Sequence, residues 1–136
     1  MNATILEAEF AAKQLKEIMN PMQLEIIRSM CHGEEGQFFR GMMVEMANLF
    51  QGMPKTYEQD GKGDDAIASL HYFRGGSDFY ITEKDMGDGQ HQAFGLANLG
   101  YGAELGYISI VELLENNFEL DLYFTPCTLR EIKEAA

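Results

Sequence analysis

The chain has 136 residues, a size at which folding buries roughly 68% of the surface the unfolded chain exposes, so one hydrophobic core can form without disulfides or a structural metal. Ten Lys and Arg against 22 Asp and Glu give a formal net charge of −12, which argues against direct binding of nucleic acid, whose phosphates are held by cations that displace condensed counterions. Cys31 and Cys127 are too few and too far apart for a disulfide framework or a zinc cluster, and charges interrupt every apolar run before it reaches a membrane span; a reduced, cytoplasmic setting without a membrane segment is expected.

Thr4 and Glu7 have the spacing of a capping box, which predicts a first helix from about Ile5 with Ala8, Ala11, Leu15 and Ile18 on one face. Asn20-Pro21 reads as a cap followed by a proline at the first helical position. The second helix then carries Leu24, Ile27 and Cys31 and ends near Gly33. A third starts near Glu34 and Glu35, whose charges suit the positive end of a helix dipole. Phe39, Met43, Met46 and Phe50 repeat along it at helical spacing, Phe38, Met42 and Leu49 widen the stripe, and Gly52 and Pro54 stop it.

Residues 54–65 are polar and rich in glycine, a connecting loop of a length that is often functional. The period then changes from helical to alternating. Leu70–Arg74 and Phe79–Thr82 flank the turn Gly75-Gly76-Ser77-Asp78 as a hairpin, and further strands are expected around 92–96 and 104–108. Ser109 is placed to cap a short helix through Leu114 with Glu112 at its third position. Phe118 to Phe124 alternates as a half-buried strand, and Thr125-Pro126 is expected to open a last helix containing Leu129 and Ile132. The fold class is therefore α+β: about three N-terminal helices packed on an antiparallel sheet of four to five strands, with a short C-terminal helix. Residues 1–136 form a single domain, helical over 1–53 and β-rich over 54–136.

The negative charge is concentrated in residues 58–121, which hold 13 acidic residues against Lys62, Arg74 and Lys84, a net of −10. Such a field attracts partners with basic patches and also keeps a protein soluble. Within this segment Glu83, Asp85 and Asp88 lie beside a glycine turn, with Glu104 on a later strand, and carboxylates of this kind suit hard cations. Their spacing does not fit a calcium loop, and Asp60-Gly61-Lys62-Gly63-Asp64-Asp65 lacks the pattern of a phosphate loop. His71 is an acid–base candidate if it meets Glu83 or Asp85 across the hairpin, and a structural cross-strand partner otherwise. Cys31 beside His32 is better read as a small buried residue than as an activated thiol.

The segments Leu70-His71-Tyr72-Phe73, Phe79 to Asp85, Ala93-Phe94-Gly95-Leu96, Glu104 to Ser109 and Glu112-Leu113, together with Met53-Pro54-Lys55-Thr56-Tyr57-Glu58, resemble domain of unknown function 2958 over about residues 54–132. That family looks like small accessory proteins of plasmids, conjugative elements and phages. The resemblance implies a mobile-element setting, in which acidic proteins imitate DNA to block host restriction or CRISPR machinery, and it carries over no catalytic residue. The expectation is a non-catalytic acidic binding protein for a basic protein partner, with no cofactor. Its candidate binding residues are Tyr57, Glu58, Asp60, Asp64, Asp65, His71, Glu83, Asp85, Asp88 and Glu104. The alternative is a metal-dependent hydrolase using Glu83, Asp85, Asp88 and Glu104 with His71 as acid or base.

Overall fold

The computed structural model describes residues 2–87 and 89–135. Helix α1 (Ile5–Leu15) opens on the expected capping box: the Thr4 hydroxyl accepts from the Glu7 N–H at 3.0 Å and the Glu7 carboxylate accepts from the Thr4 N–H at 2.9 Å. Helix α2 (Pro21–Met30) is capped by the Asn20 side chain, which accepts from the Gln23 N–H at 2.8 Å. Helix α3 (Gly36–Gly52) is tied to the preceding elements by Arg40, which donates to the carbonyls of Cys31 at 2.7 Å and Ala3 at 2.9 Å. A Cβ on Gly36 would lie 2.3 Å from the Cys31 carbonyl oxygen, so only glycine allows α2 and α3 to meet this closely.

The β-rich half forms a five-stranded antiparallel sheet in the order β5-β4-β3-β2-β6, from β2 (Leu70–Arg74), β3 (Ser77–Glu83), β4 (Ala93–Asn98), β5 (Ala103–Ile108) and β6 (Glu119–Leu120). Helix α4 (Ile110–Glu115) links β5 to β6, and Ser109 caps it by accepting from the Glu112 N–H. Strand period sets the two faces of this sheet. Leu70, Tyr72, Ile81, Ala93, Ile108 and Leu120 point inward and share one core with Leu15, Ile18, Phe39, Met43, Met46 and Phe50 of the helical half. The helical and β-rich parts are thus two layers over one core. Tyr72 is fully buried there, and its hydroxyl donates to the Ile18 carbonyl, which meets the requirement that a buried polar group be paired.

The outer face is covered over part of its area. Strand β1 (Ile67–Ala68) pairs with β7 (Cys127–Thr128) in a two-stranded ribbon, and helix α5 (Leu129–Ala135) follows it. Ala66, Ala68, Leu96 and Leu129 form a second buried cluster beneath this cap, against Tyr80, Phe124 and Ile132.

Several local expectations need correction. The hairpin turn is Gly75-Gly76 alone, since Ser77 and Asp78 belong to β3 and pair with Arg74 and Phe73, and α1 ends before Ile18, which reaches the core from the turn that follows. The run 118–124 is a strand only at Glu119–Leu120: the chain turns over at Asp121, so Phe118 and Leu122 pack on the inner core and Phe124 on the outer cluster. The last helix opens after Thr128, two residues past Pro126, because Cys127 and Thr128 pair with β1 and Thr128 forms a capping box with Glu131. Phe38 is 56% exposed and stands outside the buried stripe of α3.

Candidate functional site

His71 is the second residue of β2 and lies on the outer face, opposite Tyr80 of β3. The two rings stack with centroids 4.5 Å apart and planes 7° from parallel. Asp78, two residues before Tyr80 and therefore on the same face, reaches the His71 Nε2 at 2.8 Å. Asp121, just after β6, reaches Nδ1 at 2.9 Å, while its own N–H donates to the His71 carbonyl at 2.8 Å. Phe73 and Phe124 close the sides, leaving 14% of the histidine side chain exposed. His71 therefore meets Asp78 and Asp121 rather than Glu83 or Asp85.

Both nitrogens are occupied by protein, so neither is directed at space where a substrate would sit. The cluster joins β2, β3 and the segment after β6. Cys127, at the rim of the same face, has its thiol pushed up by burial; so does Cys31 in the core, where burial outweighs the nearby Arg40 and Arg28 charges, so neither is poised as a thiolate.

The remaining candidate carboxylates separate into distinct places. A bulge in β3 lets Ile81 pair with Gly95 and Glu83 with Phe94, so Glu83 turns to the outer face. Its carboxylate accepts from the N–H of Tyr57, a residue held at φ +77°. The Tyr57 hydroxyl lies 2.9 Å from that of Tyr107 on β5, and this contact, more than burial or the nearby Asp60 and Glu83 charges, pushes the Tyr107 phenol up. Asp85 accepts from the N–H groups of Gly87 at 3.0 Å and Gln92 at 3.1 Å; these turn hydrogen bonds, the Gly87 one foremost, hold its carboxyl below the ordinary range. Asp88 lies outside the described residues. Glu104, on β5, pairs in register with Ala97 of β4, on the face opposite Leu105 and Tyr107. No group of three or more His, Cys, Asp or Glu among the described residues converges as a metal site would require.

The loop 54–65 is tied down along its length. Thr56 donates to the carbonyl of Lys84, and the buried Gln59 amide bonds Ile67 in both directions and the carbonyl of Thr82. The Glu58 carboxylate accepts from the Lys55 N–H, while Asp60 is exposed. Asp64 and Asp65 hold α5 through Lys133 at 2.7 Å and Arg130 at 2.8 Å. The Lys133 contact is the main reason the Asp64 carboxyl sits below its usual value.

Lys84 is a functional-looking residue that serves the fold. Its ammonium is buried, donates to the carbonyls of Phe50 at 2.7 Å and Gln51 at 2.9 Å, and so caps the negative end of α3. Burial holds its pKa below the usual lysine value.

What remains available near β5 is an acidic surface formed by Glu104 of β5 and by Glu112 and Glu115 of α4, while Glu119 and Asp121 lie at β6, the opposite edge of the sheet. Between Lys84 and Arg130 the chain has no Lys or Arg, while it carries Asp85, Asp88, Glu104, Glu112, Glu115, Glu119 and Asp121. This cation-free segment builds β4, β5, α4 and β6. Of its described acids, only Asp121 has an ion-pair partner, the His71 ring. Comparison of the chain with protein families, curated proteins and solved structures finds no match.

Proposed function

We propose that this chain is a non-catalytic binding protein that presents the acidic surface of its β-rich half to a basic protein partner. The observation that carries this reading is the absence of any Lys or Arg from residues 85–129, the segment that supplies two strands beside one another, β4 and β5, and the helix after them. A surface of one sign steers oppositely charged partners and raises their association rate. The occupied nitrogens of His71 and the dispersal of Glu83, Asp85 and Glu104 lend no support to a hydrolytic centre.

Within this reading, the resemblance to domain of unknown function 2958 adds a mobile-element setting, where an acidic surface that imitates DNA would inhibit a DNA-binding defence protein. The test is recovery of the partner from the native host with the wild-type chain and with a variant carrying Glu104→Lys, Glu112→Lys and Glu115→Lys. A basic partner that is lost at raised salt, displaced by duplex DNA and not held by the variant is the expected result. A partner retained equally by both chains at high salt defeats the proposal. Asp64 and Asp65 are poor choices for such reversal because both anchor α5.

A further inference from the structure

We propose that β5 is the docking edge for an extended, basic segment of the partner protein, which joins the sheet as an added antiparallel or parallel strand. This rests on the acidic-binding reading and specifies its geometry. Strand β5 ends the sheet, with β4 on one side. Among the described residues, no group other than those of β4 hydrogen-bonds to the backbone of Ala103–Tyr107. A strand edge of this kind offers a ladder of donors and acceptors to any extended chain that fits beside it.

Natural edge strands are commonly guarded by lysine, proline or a bulge, and Ala103-Glu104-Leu105-Gly106-Tyr107-Ile108 has none of these. Its guard is charge. A second copy would bring Glu104 and the surrounding cation-free segment against their own like, which disfavours pairing of copies. The same charge favours a strand bearing Lys or Arg.

The two sides of β5 also select what such a strand carries. Leu105 and Tyr107, 48% and 59% exposed, form an apolar side continued by Phe94, which meets the Tyr107 ring edge to face at 5.6 Å. The opposite side carries Glu104 and Gly106, on the same face as Ala97 and Ile108, which with Phe79, Leu99, Glu112 and the edge residue Tyr107 line a cleft of about 440 Å³. A Cβ on Gly106 would meet nothing within 4 Å, so a long side chain from an added strand has room there. Arg74 is the single cation on that lining, and it is engaged with the Asn116 carbonyl. Because side chains alternate along a strand, the segment that fits is one alternating Lys or Arg, toward Glu104 and Glu112, with apolar residues toward Leu105 and Tyr107.

The test uses the full chain and a capped peptide of about eight residues, a common strand length, alternating Lys and Val, beside the same peptide N-methylated at every second residue on either register. The unmodified peptide is expected to bind with an affinity that falls as salt rises and to slow amide exchange in β5. N-methylation on one register is expected to weaken binding roughly tenfold or more by removing the ladder donors. The Glu104→Gln, Glu112→Gln chain should bind several-fold more weakly. Equal binding of all peptides, or protection elsewhere than β5, overturns the edge proposal and leaves the acidic-binding reading standing. So does salt-sensitive binding of a folded basic protein such as hen lysozyme with no binding of either peptide. Failure of every basic probe removes both. Pairing of two copies through β5 in the wild-type chain also overturns the proposal.

Discussion

At one edge of the five-stranded sheet, the backbone of β6 is already taken. The Gln23 amide donates to the Leu120 carbonyl at 2.8 Å and accepts from the Leu120 N–H at 2.9 Å, and Asn20 donates to the Phe118 carbonyl at 2.9 Å. Two side chains of α2 and its cap thus do for β6 what another strand would do. At the other edge β5 has β4 alone, and among the described residues none of the helical layer hydrogen-bonds to its backbone. One edge is closed by hydrogen bonds that hold the two layers together. The other is left open and carries the charge of Glu104. Closure at β6 belongs to stability, while the open edge at β5 has no evident part in it, which is why we place function there.

The largest expected contrast comes from the same substitution at the two edges. Leu120→Ala removes a side chain only 1% exposed and is expected to cost about 2–5 kcal/mol of folding stability. Leu105→Ala, on β5, should stay within about 0.5 kcal/mol. Urea unfolding of both variants measures the difference; equal losses would show that β5 is as structural as β6.

Next in size is Gln23→Ala, which leaves the N–H and carbonyl of Leu120 without partners and is expected to cost about 1–3 kcal/mol. Hydrogen exchange should show the Leu120 amide losing protection while β4 keeps its own. If Leu120 stays protected, the helical layer does not close that edge.

The cap over the outer face gives a pH dependence. Asp64 is held below its ordinary pKa of 3.8, mainly by Lys133. A carboxyl with a lower pKa in the folded than in the unfolded chain binds fewer protons when folded, so its contribution is complete above the ordinary value and is lost as pH falls through the lower, folded one. Asp64→Asn and Lys133→Met should each flatten the fall in the urea midpoint below about pH 4. An unchanged profile in both would show that this ion pair does not fasten α5.

The smallest effect on stability, and the most direct probe of the open edge, is Glu104→Val. It makes β5 an uncharged apolar edge, and stability should change by no more than about 0.5 kcal/mol. Sedimentation should nevertheless reveal more self-association than the wild-type chain shows under the same conditions. A variant that stays monomeric at high concentration would mean that charge is not what guards β5.

Much of this molecule was legible without coordinates because the signals are local. The Thr4/Glu7 box, the Asn20-Pro21 start, the buried spacing of Phe39, Met43, Met46 and Phe50, and the Ser109 cap each depend on residues within a few positions of one another. The register of the β2–β3 hairpin also contained a usable clue: alternation places Asp78 on the face of Tyr80, hence beside His71. Asp121 had no such clue, being 50 residues from His71 and brought to it by a chain reversal inside what reads as a strand. Lys84 likewise meets the end of α3 from 33 and 34 residues away.

Composition and period were therefore enough to set the α+β class, the helical and β-rich parts and the acidic balance, since these follow from propensity, capping and charge read along the chain. Strand order was decided only in three dimensions, because pairing between distant segments rests on packing and loop closure that no short window contains. That order determines which of the acidic residues become anchors, which meet a histidine, and which, like Glu104 on β5, stand without an ion-pair partner among the described residues.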